Sequence, residues 1–337
     1  MLNFDPARFL RIQTGTVSIA RDLGTLVGRL VAEGADSLFF MGSGGAGILM
    51  QPATDLMRRA SNLPCHNVLC AEIVLTGHVA LGPKSVVIMP SLSGTTKESI
   101  AAMDYVKARG ATVISITGHA DTPLAKGADH AFVNFAEDDT SCEMFYVTSL
   151  VAALSAMQAR GERSDYDRIS GELAGLPQQL LAVKQAFEPR ADALAQAIAG
   201  DGWHILTGSG AAWPEAYYYG MCILEEMQWI RTRPVHASDF FHGTLELVEK
   251  GVSVVVFAGE DETRPLTDRV IAFAKGYTDK LTVLDTRDLA TTGLSSDLRA
   301  MLAPALLATV LERLSAHLEV MRNHPLVTRR YYKRVAY

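Results

Sequence analysis

Ser85-Val86-Val87-Ile88-Met89-Pro90-Ser91-Leu92-Ser93-Gly94-Thr95-Thr96-Lys97-Glu98-Ser99 is the stretch on which the fold turns. Its first five residues form an apolar run that reads as a buried strand, and the residues from Thr96 onward read as the first turn of a helix. Ser91, Ser93, Thr95 and Thr96, with Gly94, therefore fall where a strand ends and a helix begins. Such a junction offers backbone N–H groups without helical partners, the positive end of the helix dipole and short hydroxyl donors, a combination that suits a phosphate dianion. The same residues would also serve as an ordinary Ser/Thr N-cap behind a core strand. The rest of the chain has to choose.

Outward from this stretch, strands alternate with helices. Apolar residues recur at helical spacing over residues 7–31. A strand over 37–41 runs into Gly42-Ser43-Gly44-Gly45-Ala46-Gly47 and a helix to about 61. Further strands are expected near 66–69, 111–117 and 130–133, with helices over 96–109 and 142–158. This alternation predicts an α/β fold with a mainly parallel sheet flanked by helices. The polar stretch 160–165 reads as a linker, followed by helix over 166–198 with a break near Pro177.

Then the pattern repeats. His204-Ile205-Leu206-Thr207-Gly208-Ser209-Gly210 echoes the run from Phe39 to Gly44, Ser253-Val254-Val255-Val256-Phe257 echoes Ser85 to Met89, and Thr282-Val283-Leu284 echoes Thr112 to Ile114. The offsets from Gly42 to Gly208, Ser85 to Ser253 and Thr112 to Thr282 are 166, 168 and 170 positions. A nearly constant offset over three strands indicates two copies of one unit, a first domain over 1–160 and a second over 161–337. In the second copy the hydroxyl loop is replaced by Gly259-Glu260-Asp261-Glu262-Thr263-Arg264. Three carboxylates there would repel a phosphate, so one phosphate loop per chain is expected.

Composition excludes several classes. The 337 residues carry a net charge of −6, are 48% hydrophobic and 20% charged, and have no basic run beyond Arg329-Arg330 and Lys333-Arg334, so no nucleic-acid partner is expected. No uninterrupted apolar run reaches the roughly 18 residues that span a bilayer, and the first residues lack the pattern of a signal peptide. No membrane partner and a cytoplasmic location are the expectations. Cys65, Cys70, Cys142 and Cys222 fit no zinc spacing, and no cofactor or metal is expected. Gly42-Ser43-Gly44 opens a loop that resembles a dinucleotide fingerprint. The acidic residue that would hold a ribose, Glu72, comes about 28 positions after Gly44 rather than about 20. A small ligand shared between this loop and the Ser/Thr loop fits better, at the carboxyl ends of adjoining strands.

In the second copy, Glu225 and Glu226 end an apolar, aromatic helix that begins near Glu215. Regular α-helical spacing puts Glu226 on the face of Cys222 and Glu225 beside Met221, and does not choose between them. A carboxylate on such a face suits a general base toward a carbon acid. His242 follows Phe240-Phe241 and precedes Gly243, at home either in a packed core or as a proton carrier.

These residues resemble a known family. The loop from Ser91 to Thr96 resembles the phosphosugar loop of sugar isomerase (SIS) domains, and nearly the whole chain resembles two tandem SIS domains. The arrangement is similar to the isomerase half of glucosamine-6-phosphate synthase, where a base Glu and a ring-opening His lie sixteen residues apart and Gly follows the His. Glu226, His242 and Gly243 match that spacing, so the resemblance selects Glu226 over Glu225. The segment from Phe240 to Glu246, with the acidic loop from Gly259 to Arg264, looks closer to the fructosamine-6-phosphate deglycases. There are departures: Leu92 stands where the synthase has Gln, and Gly44 where it has Ser. Lys333 matches a tail lysine that covers the sugar, in a short match that an ordinary solvated end residue would also give.

The resemblance implies a deglycase that cleaves a 6-phosphorylated fructosamine to glucose 6-phosphate and an amine. Phosphate or sugar contacts would come from Gly42, Ser43, Gly44, Ser91, Ser93, Thr95, Thr96 and Lys333, with Glu226 and His242 catalytic. It also implies a sugar phosphate as partner and a homodimer with the site at the interface. Aldose–ketose isomerisation, or deamination of an amino-sugar phosphate, would use the same residues, and a non-catalytic phosphosugar sensor would not need the Glu/His pair. Nothing in the sequence names the amine.

Overall fold

The computed structural model describes residues 1–336. They pack as two units: Pro6–Gln178 with Gly293–Leu298, and Met1–Asp5 with Gln179–Thr292 and 299–336.

The first unit contains the strands β1 (Ser37–Gly42), β2 (Cys65–Leu69), β3 (Ser85–Ser91), β4 (Thr112–Thr117) and β5 (His130–Val133), in the order β2-β1-β3-β4-β5. All neighbours are parallel. β1 and β3 are buried along their whole length, which is why their sequences are continuous apolar runs rather than alternating ones. Phe39 and Met41 of β1, Val87 and Met89 of β3 and Val113 of β4 pack under Ala102, Met103 and Val106 of the helix Lys97–Lys107. Burying one such side chain contributes about 2 kcal/mol. The expected helix after Gly44 forms as two pieces, Gly45–Ile48 and Gln51–Ala60, with Pro52 in the first turn of the second.

The second unit contains β6 (Trp203–Gly208), β7 (Arg231–His236), β8 (Ser253–Ala258) and β9 (Lys280–Asp285), parallel, in the order β7-β6-β8-β9. This is the first unit's order without the last strand, as the repeat implied. The sequence reading missed β7, because Arg231-Thr232-Arg233-Pro234 is charged and contains a proline. The strand lies at the sheet edge with Pro234 opposite Leu206, a place where a missing N–H is tolerated.

Over 166–198 the chain forms Tyr166–Leu173 and Leu176–Ala199, and Pro177 sits in the first turn of the second helix, where its missing N–H costs nothing. The helices Ser141–Ala159 and Ser296–Met321 are long and apolar enough to span a membrane by length and composition, and both are mostly buried inside the protein.

Candidate active site

The strand order of the first unit reverses between β1 and β3, so the loops leaving their carboxyl ends diverge and open a crevice, the usual ligand position in such sheets. The loops at that point are the two singled out from sequence, Gly42–Gly47 and Ser91–Thr96. A Cβ on Gly42 would lie 2.5 Å from the Gly47 backbone nitrogen, so only glycine lets β1 meet the helix behind it. Gly44 adopts φ +55°. Ser43 Oγ and Ser99 Oγ lie 3.3 Å apart, which ties the first loop to the first turn of the helix Lys97–Lys107. Cys70 Sγ donates to Ser99 Oγ at 3.8 Å, and burial pushes its thiol pKa up, so it is a packing group rather than a nucleophile.

The hydroxyl loop holds itself open. Ser91 Oγ accepts the Gly94 N–H at 3.2 Å, and Ser93 Oγ accepts from Thr95 N–H at 3.4 Å and from Thr95 Oγ1 at 3.1 Å. The hydroxyl oxygens are thus employed as acceptors, leaving the Ser91 and Ser93 protons to donate outward. Thr96 is the N-cap of the helix Lys97–Lys107 and makes no side-chain cap bond. One edge of one sheet therefore gathers Gly42, Ser43, Gly44, Ser91, Ser93, Thr95 and Thr96.

The second unit's counterpart is built alike and filled. Gly210 adopts φ +53°, matching Gly44, and Thr263 matches Thr95. Asp261 takes the place of Ser93: its Oδ1 accepts from Thr263 N–H at 2.9 Å and from Thr263 Oγ1 at 2.5 Å. Its Oδ2 accepts the Ala211 N–H at 2.8 Å. Glu260 is engaged by Arg299 at 2.7 Å. The acidic loop thus does more than repel an anion, because a protein carboxylate sits on the backbone donors. By the same correspondence Gly45 is the first unit's match of Ala211.

Glu226, His242 and Lys333 belong to the second unit. The helix carrying the two acids changes register: Trp213–Tyr218 is α-helical, but Tyr219–Glu225 is a π-helix. The Glu226 N–H bonds to the Met221 carbonyl, five residues back, at 3.2 Å. The backbone partner of Glu226 is thus Met221 rather than Cys222, the partner that regular α-helical pairing would give. The two acids also part company. Glu225 accepts from Thr232 Oγ1 at 2.6 Å and Thr232 N–H at 3.2 Å, fastened to the start of β7. Glu226 is half-buried and pairs with Arg329 at 2.9 Å. His242 ends the short helix Phe240–His242 beyond β7 and is exposed, so it is not a packed core residue. Lys333 is exposed, with its Nζ 5.2 Å from the Tyr332 ring. Among the described residues no group of three or more His, Cys, Asp or Glu side chains is arranged to hold a metal ion.

A parallel α/β unit with a hydroxyl loop at its switch point is the architecture of SIS domains, and the SIS domain family matches residues 33–160. The chain is 31% identical to fructosamine deglycase FrlB of Bacillus subtilis (strain 168), over 96% of this chain and 99% of that protein. It is 27% identical to fructoselysine 6-phosphate deglycase of Escherichia coli (strain K12), over 91% of this chain and 88% of that one. A Bacillus subtilis crystal structure whose name proposes a phosphosugar isomerase superposes with a TM-score of 0.88 at 30% identity, covering 96% of this chain and 99% of that one. The chain belongs to the SIS-domain family that includes these deglycases.

Proposed function

We propose that this protein is a deglycase that cleaves a 6-phosphorylated fructosamine to glucose 6-phosphate and an amine. The observation that carries the reading is the near full-length similarity to fructosamine deglycase, joined to a hydroxyl loop at the switch point of a parallel sheet. Residues 1–160 and 161–337 are assigned as the two SIS copies. Ser91, Ser93, Thr95 and Thr96, with nearby backbone N–H groups, take the phosphate, and Gly42, Ser43 and Gly44 line the sugar. That binding energy positions carbons 1 and 2. Glu226 removes a proton from carbon 1 of the open-chain ketosamine, giving an enaminol with a C1–C2 double bond. The proton returns at carbon 2, leaving an imine at carbon 1, and water cleaves it to the aldose and the amine. His242 opens the ring and carries protons between the sugar oxygens, and Lys333 covers the sugar.

Glu226 precedes β7 and His242 follows it. Six residues at about 3.3 Å per step separate the ends of that strand by about 16 Å. The family resemblance implies a homodimer with the site at the interface, and on that ground His242 is assigned to the site of a second copy of the chain.

The test uses a panel of ketosamine 6-phosphates, following glucose 6-phosphate release. Glu226→Gln and His242→Ala are each expected to lose activity, and mixing the two inactive variants is expected to restore up to about a quarter of it through hybrid dimers. Isomerisation of fructose 6-phosphate with no release from any ketosamine would replace the deglycase by an isomerase. Inactive variants that stay inactive on mixing would return His242 to its own chain.

A further inference from the structure

The C-terminal segment grips the end of the π-helix. Arg329 Nε lies 2.9 Å from Glu226 Oε1, with the guanidinium side chain 14% exposed and the carboxylate side chain 31%. Arg329 Nη1 donates to the Leu326 and Thr328 carbonyls at 2.6 and 3.0 Å, so the segment's own backbone aims the guanidinium. On either side of this pair the segment is moored to the turn that follows Glu226. The Arg330 guanidinium lies 4.1 Å from the Trp229 ring, and the His324 ring meets the same indole edge-on at 4.5 Å. Gln228 Nε2 donates to the His324 carbonyl at 2.7 Å. Trp229 itself has φ +55°, a conformation a tryptophan adopts only when its surroundings impose it.

We propose that Arg329 is a positioning residue for Glu226: by anchoring Oε1 it fixes the plane in which the carboxylate meets the proton to be removed. The inference rests on Glu226 being the base. A glutamate at a helix end has three rotatable bonds, and a misplacement of about 1 Å at a reacting group can cost about a hundredfold in rate. Of the four residues just before Glu226, none supplies a cation, as Cys222-Ile223-Leu224-Glu225 shows. Arg329 reaches it from a segment 103 positions later in the sequence, the segment that also carries Lys333. A guanidinium suits this role better than an ammonium, because its planar donors hold a carboxylate in one orientation.

The experiment compares Arg329→Met, Arg329→Lys and Glu226→Gln in the full chain, with a ketosamine 6-phosphate as substrate. Readouts are kcat, KM, exchange of the carbon-1 proton with deuterated solvent, and the thermal midpoint. Docking of the segment is read separately from Trp229 fluorescence in a Trp203→Phe, Trp213→Phe background. Arg329→Met is expected to lower kcat and proton exchange about 10- to 100-fold with KM within about threefold, and Arg329→Lys to recover part of the loss. Combined with Glu226→Gln it is expected to add nothing further, since two groups acting as one are not additive. An inactive Glu226→Gln beside a fully active Arg329→Met overturns the positioning role and leaves the base in place. An active Glu226→Gln removes the base and this inference with it. A fall in kcat matched by Arg330→Ala, with Trp229 released in both, assigns the effect to docking of the segment and also overturns it.

Discussion

The Asp261 carboxylate accepts a 2.8 Å hydrogen bond from the Ala211 backbone N–H. Both residues have counterparts in the first unit, Ser93 and Gly45. One copy of the repeat therefore carries a carboxylate at this place as part of the chain, and the other carries a hydroxyl. The internal bonds are the same in kind: Thr95 N–H and Oγ1 to Ser93, Thr263 N–H and Oγ1 to Asp261.

Ser93→Asp should therefore plug the first site from within. The carboxylate would bond to Thr95 and reach for the Gly45 N–H, as Asp261 does for Ala211. Phosphosugar binding is expected to weaken more than 100-fold by calorimetry, while Ser93→Ala weakens it only about tenfold, the size of one charge-assisted hydrogen bond. The thermal midpoint of Ser93→Asp should stay near wild type. An aspartate no worse than alanine would mean that the first unit's donors do not converge as the second unit's do.

The two loop glycines should respond differently. A Cβ on Gly42 meets backbone at 2.5 Å, whereas one on Gly44 meets nothing within 4 Å and carries only the strain of φ +55°. Gly42→Ala is expected to cost about 2 kcal/mol or more, and Gly44→Ala about 1 kcal/mol. Chemical denaturation of the two variants measures both. Equal costs would show that the strand-to-helix approach at Gly42 relaxes freely.

Much of this was legible in advance. β1, β3 and β8 are continuous apolar runs because parallel strands are buried on both faces, and the constant offset between the two copies exposed the repeat. The hydroxyl loop stood out because its composition changes abruptly at a strand end. What stayed hidden depends on neighbours distant in sequence. β7 looks polar because it has a partner on one side only. The π-helix moves the backbone partner of Glu226 from Cys222 to Met221 without any mark in the residues themselves. The pairing of Glu226 with Arg329 joins segments too far apart in the chain for any periodicity to connect.

Glu225 and Glu226 provide the sharpest contrast between neighbours. Glu225 is exposed and bound to Thr232, a structural contact at the start of β7. Glu225→Gln keeps an acceptor for Thr232 and is expected to hold turnover within about threefold. Glu226→Gln is expected to lose about 10²- to 10⁴-fold, the range for a removed general base. Steady-state kinetics on the same ketosamine 6-phosphate decides. The reverse pattern would move the base to Glu225 and make the π-register incidental.

Arg313 is fully buried in the second unit, and its guanidinium meets Glu188 at 2.6 Å, while the buried Lys184 meets Glu312 at 2.8 Å. Burial alone would raise the Glu188 carboxyl. Hydrogen bonds from Arg313 and from the Leu2 N–H, and the charge of Arg313, outweigh it and bring the pKa down from 4.5 to about 2. A depressed carboxyl stabilises the fold above its unfolded pKa and loses that stability as pH falls through the folded one. The pair should therefore contribute fully above about pH 4.5 and fade toward pH 2. With partial exposure discounted, the titrating part is roughly 2 kcal/mol. Arg313→Met strands the Glu188 carboxylate and is expected to cost about 3 kcal/mol at pH 7. The gap between variant and wild type should close as pH approaches 2, because Glu188 then loses its charge in both. Thermal unfolding from pH 7 to pH 2.5 measures the gap directly, and a gap that does not change with pH would assign the cost of Arg313→Met to lost packing against Phe4, whose ring lies 5.2 Å from the guanidinium carbon.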